Sequence, residues 1–511
     1  MNATGQPEQT ERDLALSARV ITDQALARAA GAPLIDGNSV RLLRDARENY
    51  PAWLEAIAAA RHQVHFESYI IREDRTGEEF AEALSAKARA GVCVRILYDW
   101  LGGFGKTSGK FWARLRAAGV EVRCYNPPRL EAPFGWISRD HRKMLTVDGQ
   151  VGFVTGLCVG QMWAGDPKKK LEPWRDTGIE VRGPAVAEIE RAFAQIWAMT
   201  GEAIPEDQIV NAAALVPAGE VSLRIVASVP ATAGMLRMDQ IVAALARKRV
   251  WLTDAYYAGT TGYAQALQAA AHQGVDVRLL VPSASDIPLV KLLSRAGYRP
   301  LLKAGVRIFE WNGTMLHAKT AVADGIWARV GSTNLNVASW FGNCELDAVI
   351  ENADFARQME DMYLQDLTNA TEIVLDAKRK IRAPGRPQSP RPLMPLGRAS
   401  AGRAAAGTIR IGNAIGAAIT NHRALEPVEA RLMLIAGVLS VVLAGIFALL
   451  PRLLAYPLAV VLGWIGLTLL LRGFNLHRRG RRQLTNQGPQ EPGDGPPPPQ
   501  FSLGDCGAGV S

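Results

Sequence analysis

The sequence predicts an α/β protein built as two tandem, matched lobes, followed by a C-terminal helical hairpin long enough to enter a membrane. Three observations carry this. His141-Arg-Lys143-Met-Leu-Thr-Val-Asp148 returns as His317-Ala-Lys319-Thr-Ala-Val-Ala-Asp324, with the same residue types at the same spacing. Helices and strands alternate in the same order around both copies. Leu432 to Leu450 and Leu453 to Leu471 carry no charge, and each is just long enough to cross a bilayer core. At 511 residues the chain exceeds one compact core.

Residues 1 to 36 are polar, then helical in pattern around Leu14 to Ala29, with no legible role and no apolar signal segment over Met1 to Asp13. A first lobe is expected over 37–215. Pro51 to Arg61 reads as a helix with proline in its first turn, and Val64 to Ile71 as a strand. Glu78 to Ala90 reads as a helix, Gly91 to Tyr98 as a buried strand, Phe111 to Ala118 as a helix and Val120 to Tyr125 as a strand. The His141 hairpin follows, then a helix from Pro184 to Met199. A second lobe, 216–377, repeats the order: helix Met238 to Arg247, strand Val250 to Tyr257, helix Gly262 to Gln273. Gly274-Val-Asp-Val-Arg-Leu-Leu-Val281 echoes Gly91-Val-Cys-Val-Arg-Ile-Leu-Tyr98. Ala304 to Trp311 echoes Ala118 to Tyr125, and the His317 hairpin closes the set.

Two loops stand out. The Pro-broken stretch between Tyr125 and Arg139 carries Phe134 and Trp136, either as a lip that touches a bilayer surface or as an ordinary loop anchored in a core. Lys168-Lys-Lys170 reads as a headgroup contact or a solvated charge run. Residues 378–428 form a basic segment: a flexible Pro/Gly/Arg linker from Ala383 to Arg398, then Ile411, Ile415, Ala418, Ile419 and His422 at helical spacing. That stripe suits an interfacial helix or one packed on the body. The membrane hairpin spans 429–473, and the Pro/Gly-rich tail, 474–511, is expected to be disordered.

The net charge of +9 is unevenly placed. Residues 378 to 482 hold 17 lysines and arginines against Glu426 and Glu429, which leaves the rest of the chain net acidic. A nuclease would place positive charge around its groove, so nucleic acid is not an expected partner. Basic residues beside membrane spans read instead as topology signal and attraction to anionic lipid. Arginines crowd both outer flanks of the hairpin, whereas its turn has only Arg452, which places the body in the cytoplasm. The five cysteines (Cys93, Cys124, Cys158, Cys344, Cys506) form no metal spacing and suit a reducing compartment.

Apolar runs on either side of Asp148-Gly149 and Asp324-Gly325 read as hairpin strands. Residues i and i+2 share a strand face, so His141 points with Lys143, and His317 with Lys319. A neutral imidazole beside a fixed ammonium suits attack on a phosphate, and a second imidazole can protonate the leaving alcohol.

With Gly331, Ser332 and Asn334, the second copy completes a pattern that resembles the phospholipase D superfamily. Tyr125-Asn-Pro-Pro128, Arg139-Asp-His-Arg-Lys143, Trp174-Arg-Asp-Thr177 and Asn343-Cys-Glu345 narrow the resemblance to the bacterial cardiolipin synthase branch, over roughly residues 37 to 425. The first copy departs from it: Thr155-Gly156-Leu157-Cys158 stands at the Gly-Ser-x-Asn position, and Cys158 cannot replace an amide in binding phosphate.

The resemblance implies two phospholipase D-like α/β lobes forming a pseudo-twofold catalytic body, with one His-x-Lys from each at the axis. It implies a phosphatidyltransferase, condensing phosphatidylglycerol with a second phospholipid (phosphatidylglycerol or phosphatidylethanolamine) through a phosphatidyl-histidine. His141 is the implied nucleophile. The candidate catalytic set is His141, Lys143, Asp148, His317, Lys319 and Asp324, although Asp148 and Asp324 sit at turns and read as structural. Lys143, Lys319, Ser332 and Asn334 are the implied phosphate ligands. Glu345 and Asp176 are the implied partners that orient His141 and His317. No metal or cofactor is implied, and the implied location is the bacterial inner membrane. A phospholipase D hydrolase, a nuclease or phosphodiesterase, and a non-catalytic scaffold are the rival readings. Oligomeric state is not legible.

Overall fold

A computed structural model describes residues 21–128, 137–375 and 381–382, with isolated positions between 442 and 470. The first lobe contains strands β1 (Ile35–Arg44), β2 (Gln63–Ser68), β3 (Cys93–Asp99), β4 (Glu121–Tyr125), β5 (Lys143–Val147), β6 (Val151–Thr155) and β7 (Thr177–Arg182). Its main helices are α1 (Asp45–Ala59), α2 (Arg75–Arg89), α3 (Gly109–Ala117) and α4 (Val186–Met199). The second lobe contains β8 (Val221–Ser228), β9 (Arg249–Thr253), β10 (Asp276–Pro282), β11 (Arg307–Trp311), β12 (Thr320–Ala323), β13 (Trp327–Gly331), β14 (Glu345–Glu351), β15 (Ala370–Leu375) and β16 (Ile381–Arg382). Its helices are α5 (Gly234–Leu245), α6 (Thr261–His272), α7 (Pro288–Lys303) and α8 (Ala353–Leu367).

The strands form one continuous sheet in which the repeat becomes geometry. The first lobe runs β4-β3-β2-β5-β6-β7-β1, and the second mirrors it as β8-β14-β13-β12-β9-β10-β11, with β15 and β16 beyond. The halves meet where β1 pairs antiparallel with β8 (Asn38 opposite Val221). In each lobe the strands flanked by helices are parallel (β2-β3-β4 and β9-β10-β11), as βαβ connections require. The hairpin strands are antiparallel.

Three apolar clusters hold the sheet. One packs α1 to α3 on the first lobe around Trp53, Phe66, Phe80 and Trp112. Another packs α5 to α7 on the second around Tyr263, Leu267 and Tyr298. The third spans both lobes, burying α4 (Phe193, Ile196, Trp197) and α8 (Phe355, Met359, Tyr363) against the other face. All of this lies in one compact unit.

Some expectations need correction. The first helix starts at Asp45, so Pro51 lies inside it rather than in its first turn. In its first turn the Glu48 carboxylate accepts the Arg44 backbone N–H at 2.8 Å, which satisfies one donor at the helix start. Strands β1, β7, β8 and β14, which make the seam, were not anticipated. Phe134, Trp136, the linker, the amphipathic stripe and the tail lie outside the described residues. So does most of the hairpin, which belongs to a second unit. Helical positions described there leave Leu449 83 % and Leu470 73 % exposed. Among the described residues, no helix is long and apolar enough to cross a membrane.

Candidate active site

The two histidines are placed by the same device, used twice. The segment before β5 pairs with the segment before β14: the His141 N–H donates to the Cys344 carbonyl (2.9 Å), and the Cys344 N–H to the Arg139 carbonyl (2.8 Å). The segment before β12 pairs likewise with that before β7: His317 donates to the Arg175 carbonyl (2.7 Å), and Arg175 to the Met315 carbonyl (2.9 Å). Each histidine therefore lies beside the residue preceding a carboxylate of the other lobe. The side chains follow. His141 Nδ1 is 2.9 Å from Glu345 Oε2, and His317 Nδ1 is 2.7 Å from Asp176 Oδ2.

A carboxylate facing Nδ1 fixes the proton there and leaves Nε2 with a lone pair. The electrostatics agree. Burial, reinforced by the Lys319 charge, pushes His317 down to about 3; burial also holds His141 below the ordinary range, despite Glu345. Burial works against ionised Asp176 and Glu345, but the facing histidine and the neighbouring lysines outweigh it. These shifts favour neutral imidazoles facing ionised carboxylates. His141 is 9 % and His317 5 % exposed.

Lys143 and Lys319 donate to the carbonyls of His141 and His317. Lys319 Nζ also lies 3.0 Å from His317 Nδ1, which cannot accept while its proton faces Asp176. Burial lowers Lys319 to about 8, and Lys143 contributes to the shift, so the two ammonium groups feel one another. Tyr69 and Tyr256 lie beneath Lys143 and Lys319 (5.4 and 5.9 Å) and pack edge-on against His141 and His317.

The remaining candidates separate. Asn334 is 4 % exposed and its buried Oδ1 has no hydrogen-bond partner among the described residues, so its amide is uncommitted there. Ser332 is committed: its hydroxyl donates to Glu345 (2.6 Å) and accepts the Leu346 N–H (2.9 Å). As placed, it supports Glu345. Asp148 and Asp324 stand apart from the histidines. At the hairpin turns, with φ of +52°, they accept the backbone N–H groups that open β2 (Arg61, His62, Gln63) and β9 (Arg247, Lys248, Arg249) at 2.7 to 2.9 Å. They pin strands rather than touch the histidines. Lys168, Lys169 and Lys170 are exposed in a turn.

Several residues were missed. Trp163 Nε1 donates to Asp176 Oδ2 (3.2 Å), and the Thr177 N–H to Oδ1 (2.9 Å). Asp45, also at φ +52°, donates its own N–H to the Asp176 carbonyl (3.0 Å) and accepts the Asp176 N–H (2.8 Å). Arg175 ties this clamp to the second lobe through Asp45 (3.0 Å) and a two-pronged pair with Asp366 (2.9 Å each). Glu67 and Asp140, both buried near Arg142 and Lys143, have pKa values raised by burial, and the Asp140 charge raises Glu67 further. Some left a legible signal: Tyr69 and Tyr256 recur after equivalent strands, and Asp140, Arg175 and Thr177 lie inside the motifs around His141 and Asp176. An open cleft of about 650 Å³ lies along the seam, lined by Arg44, Glu172, Trp174, Trp311 and Gln365 among others. It adjoins His317 through the Trp174 ring, 5.5 Å away.

The described family "Cardiolipin synthase, PLD-like domain" matches residues 53–197 and 241–367. A cardiolipin synthase of Alkalihalophilus pseudofirmus is 33 % identical over 345 residues, covering 67 % of this chain and 68 % of that protein. Cardiolipin synthase 2 of Bacillus anthracis is 35 % identical over 348 residues, covering 67 % of each. The crystal structure of a phosphatidylserine synthase from Haemophilus influenzae shares the fold, with a TM-score of 0.56 at 12 % identity over 69 % of this chain and 92 % of that one. Matched halves, exchanged carboxylates and these similarities lead to one conclusion: the chain belongs to the cardiolipin synthase family of phospholipase D-like proteins.

Proposed function

We propose that this chain is a cardiolipin synthase-type phosphatidyltransferase that uses phosphatidylglycerol and a second phospholipid. The observation that carries the reading is the exchange of carboxylates, which gives each lobe a neutral, oriented histidine beside a buried lysine. His141 Nε2 attacks phosphorus, the bond to the glycerol headgroup breaks, and the departing alkoxide takes a proton from His317. For that step His317 must first be protonated, and a bound phosphodiester anion favours this by offsetting the lysine charges that add to the effect of burial. The phosphatidyl-His141 formed is cationic and faces Glu345. His317, now neutral, takes the proton from a hydroxyl of the second lipid, whose oxygen displaces His141. Lys143, Lys319 and the Asn334 amide stabilise the charge on the phosphate oxygens.

Lipid access is supported by exposed apolar side chains on loops flanking site residues: Phe104 (65 %), Ile137 (60 %), Ile287 (45 %) and Phe341 (44 %). We assign 37–215 and 216–377 to the lobes, 378–428 to a basic linker and 429–473 to a membrane hairpin. The arginine-rich flanks place the body on the cytoplasmic side of an anionic bacterial inner membrane. The purified protein, in detergent with EDTA, is to be incubated with phosphatidylglycerol alone. Cardiolipin and free glycerol, absent with His141→Ala and His317→Ala, are expected. Phosphatidic acid without cardiolipin, even when phosphatidylethanolamine is added, would establish the hydrolase reading instead.

A further inference from the structure

The half-sites differ chemically where the repeat breaks. The Val159 carbonyl accepts the Arg72 N–H at 3.0 Å, and the Leu335 carbonyl accepts the Ala258 N–H at 3.0 Å. This match sets Cys158 opposite Asn334 and Arg72 opposite Ala258. The first half thus has a thiol in place of an amide and a guanidinium in place of a methyl group, on adjacent segments.

Arg72 is held close to Cys158. Its stem lies over Gly160, where a Cβ would stand 2.8 Å from Arg72 Cδ, and its Nε is buried without a hydrogen-bond partner among the described residues. The next residue brings the backbone of a second basic residue alongside: the Glu73 N–H donates to the Lys106 carbonyl at 3.0 Å. Cys158, Arg72, Asp286 and Asp99 all lie within electrostatic reach of the Lys106 ammonium, and Cys158 is also within reach of Lys319.

The nearby carboxylates are occupied. Asp99 takes Arg139 and the N–H groups of Leu101, Gly102 and Asp140. Asp74 caps α2 through Gly77 and also takes the Gln161 N–H. Asp286 takes the Tyr256 hydroxyl. Arg72 and Lys106 are thus two half-buried cations on neighbouring segments, within electrostatic reach of each other, and among the described residues neither makes an ion pair with a carboxylate. Desolvating two like charges in this way is costly unless an anion joins them.

We propose that Arg72 and Lys106 form a second phosphodiester subsite beside Cys158, which holds the phosphate of the acceptor phospholipid while its headgroup hydroxyl reaches the phosphatidyl-histidine. This rests on the transferase reading. In the product a single glycerol separates the two phosphates, so the second anion must bind close to the first. Water or a free alcohol as acceptor brings no phosphate and needs no such subsite.

The test compares two reactions of the full-length protein in detergent: cardiolipin formation from phosphatidylglycerol, and exchange of isotopically labelled glycerol into phosphatidylglycerol. Exchange uses the same first step but no second phospholipid. In an Arg72→Gln/Lys106→Gln protein, the ratio of cardiolipin formation to exchange should fall on the order of 10- to 100-fold. Arg72→Lys/Lys106→Arg should restore most of the ratio. An unchanged ratio, with both rates kept or both reduced in proportion, would overturn the subsite. A wild-type protein that exchanges glycerol but makes no cardiolipin would remove the subsite's acceptor. Absence of both reactions in wild type would instead sink the transferase reading on which it rests.

Discussion

Replacing each orienting carboxylate by its amide should have unequal consequences. At Asp176, Oδ1 accepts the Thr177 N–H, and Oδ2 accepts the Trp163 indole N–H as well as facing His317. Both fixed partners are donors only, so Asp176→Asn must set its NH₂ against one of them. Turning it toward His317 keeps the shorter Thr177 bond and forces Nδ1 to accept. The Lys319 ammonium, 3.0 Å from Nδ1, favours the same lone pair. The proton then moves to Nε2, the wrong nitrogen. Tautomer inversion of this kind costs on the order of 10⁴ in kcat in a Ser-His-Asp triad, and the orphaned Trp163 N–H costs about 1–3 kcal/mol of stability.

Glu345 sits among adaptable partners. Ser332 brings a rotatable hydroxyl, and Asn343 an amide 3.3 Å from Oε1 that can turn to present its oxygen. Glu345→Gln can therefore keep an oxygen toward His141 and Ser332 and lose only its charge. The difference between a charged and a neutral hydrogen bond, about 1–2 kcal/mol, corresponds to a loss of roughly 5- to 30-fold. Steady-state cardiolipin formation, with melting temperatures recorded in parallel, measures both effects. Asp176→Asn within tenfold of wild type, or Glu345→Gln as damaged as Asp176→Asn, would refute this account of the two pairs.

Three further outcomes are expected. Asp148→Ala and Asp324→Ala should each lower stability by about 1–2 kcal/mol through lost backbone acceptors, seen in thermal melts, while the folded fraction keeps its kcat within about threefold. Ser332→Ala leaves the buried Leu346 N–H without its acceptor and Glu345 without a donor; stability should fall by about 1–3 kcal/mol and kcat by roughly tenfold. The Lys319 ammonium, held at about 8 rather than 10.5, should give kcat/KM an alkaline limb near pH 8, absent in Lys319→Arg. Between about pH 8 and 10.5 the unfolded chain keeps the proton that folded Lys319 has lost, so this group should make stability rise with pH in melts.

Much of the sheet was legible because buried parallel strands read as apolar runs: Gly91 to Tyr98 and Gly274 to Val281 announce β3 and β10. The seam was not. β1 carries Asp36, Arg41 and Arg44, since its strand joins two lobes and half its side chains meet solvent or ion pairs such as Arg41 with Glu180. Its cross-lobe pairing with β8 leaves no local pattern. The site divides in the same way. Residues within the repeated stretch could be found from spacing, and the Asp-Gly turn signal already marked Asp148 and Asp324 as structural. Asp45, Trp163 and Arg175 act through contacts spanning long sequence separations, which periodicity does not encode.

The central claim is that histidines from two lobes act on one phosphodiester through a covalent adduct. It is tested most directly by mixing phosphorus-labelled phosphatidylglycerol with enzyme, quenching on the turnover timescale and mapping retained label to peptides. The account predicts label on the peptide containing His141 in wild type, and none in His141→Ala. Label on the His317 peptide would reverse the roles of the two residues. Labelled cardiolipin formed with no retained label at any time would contradict the covalent mechanism.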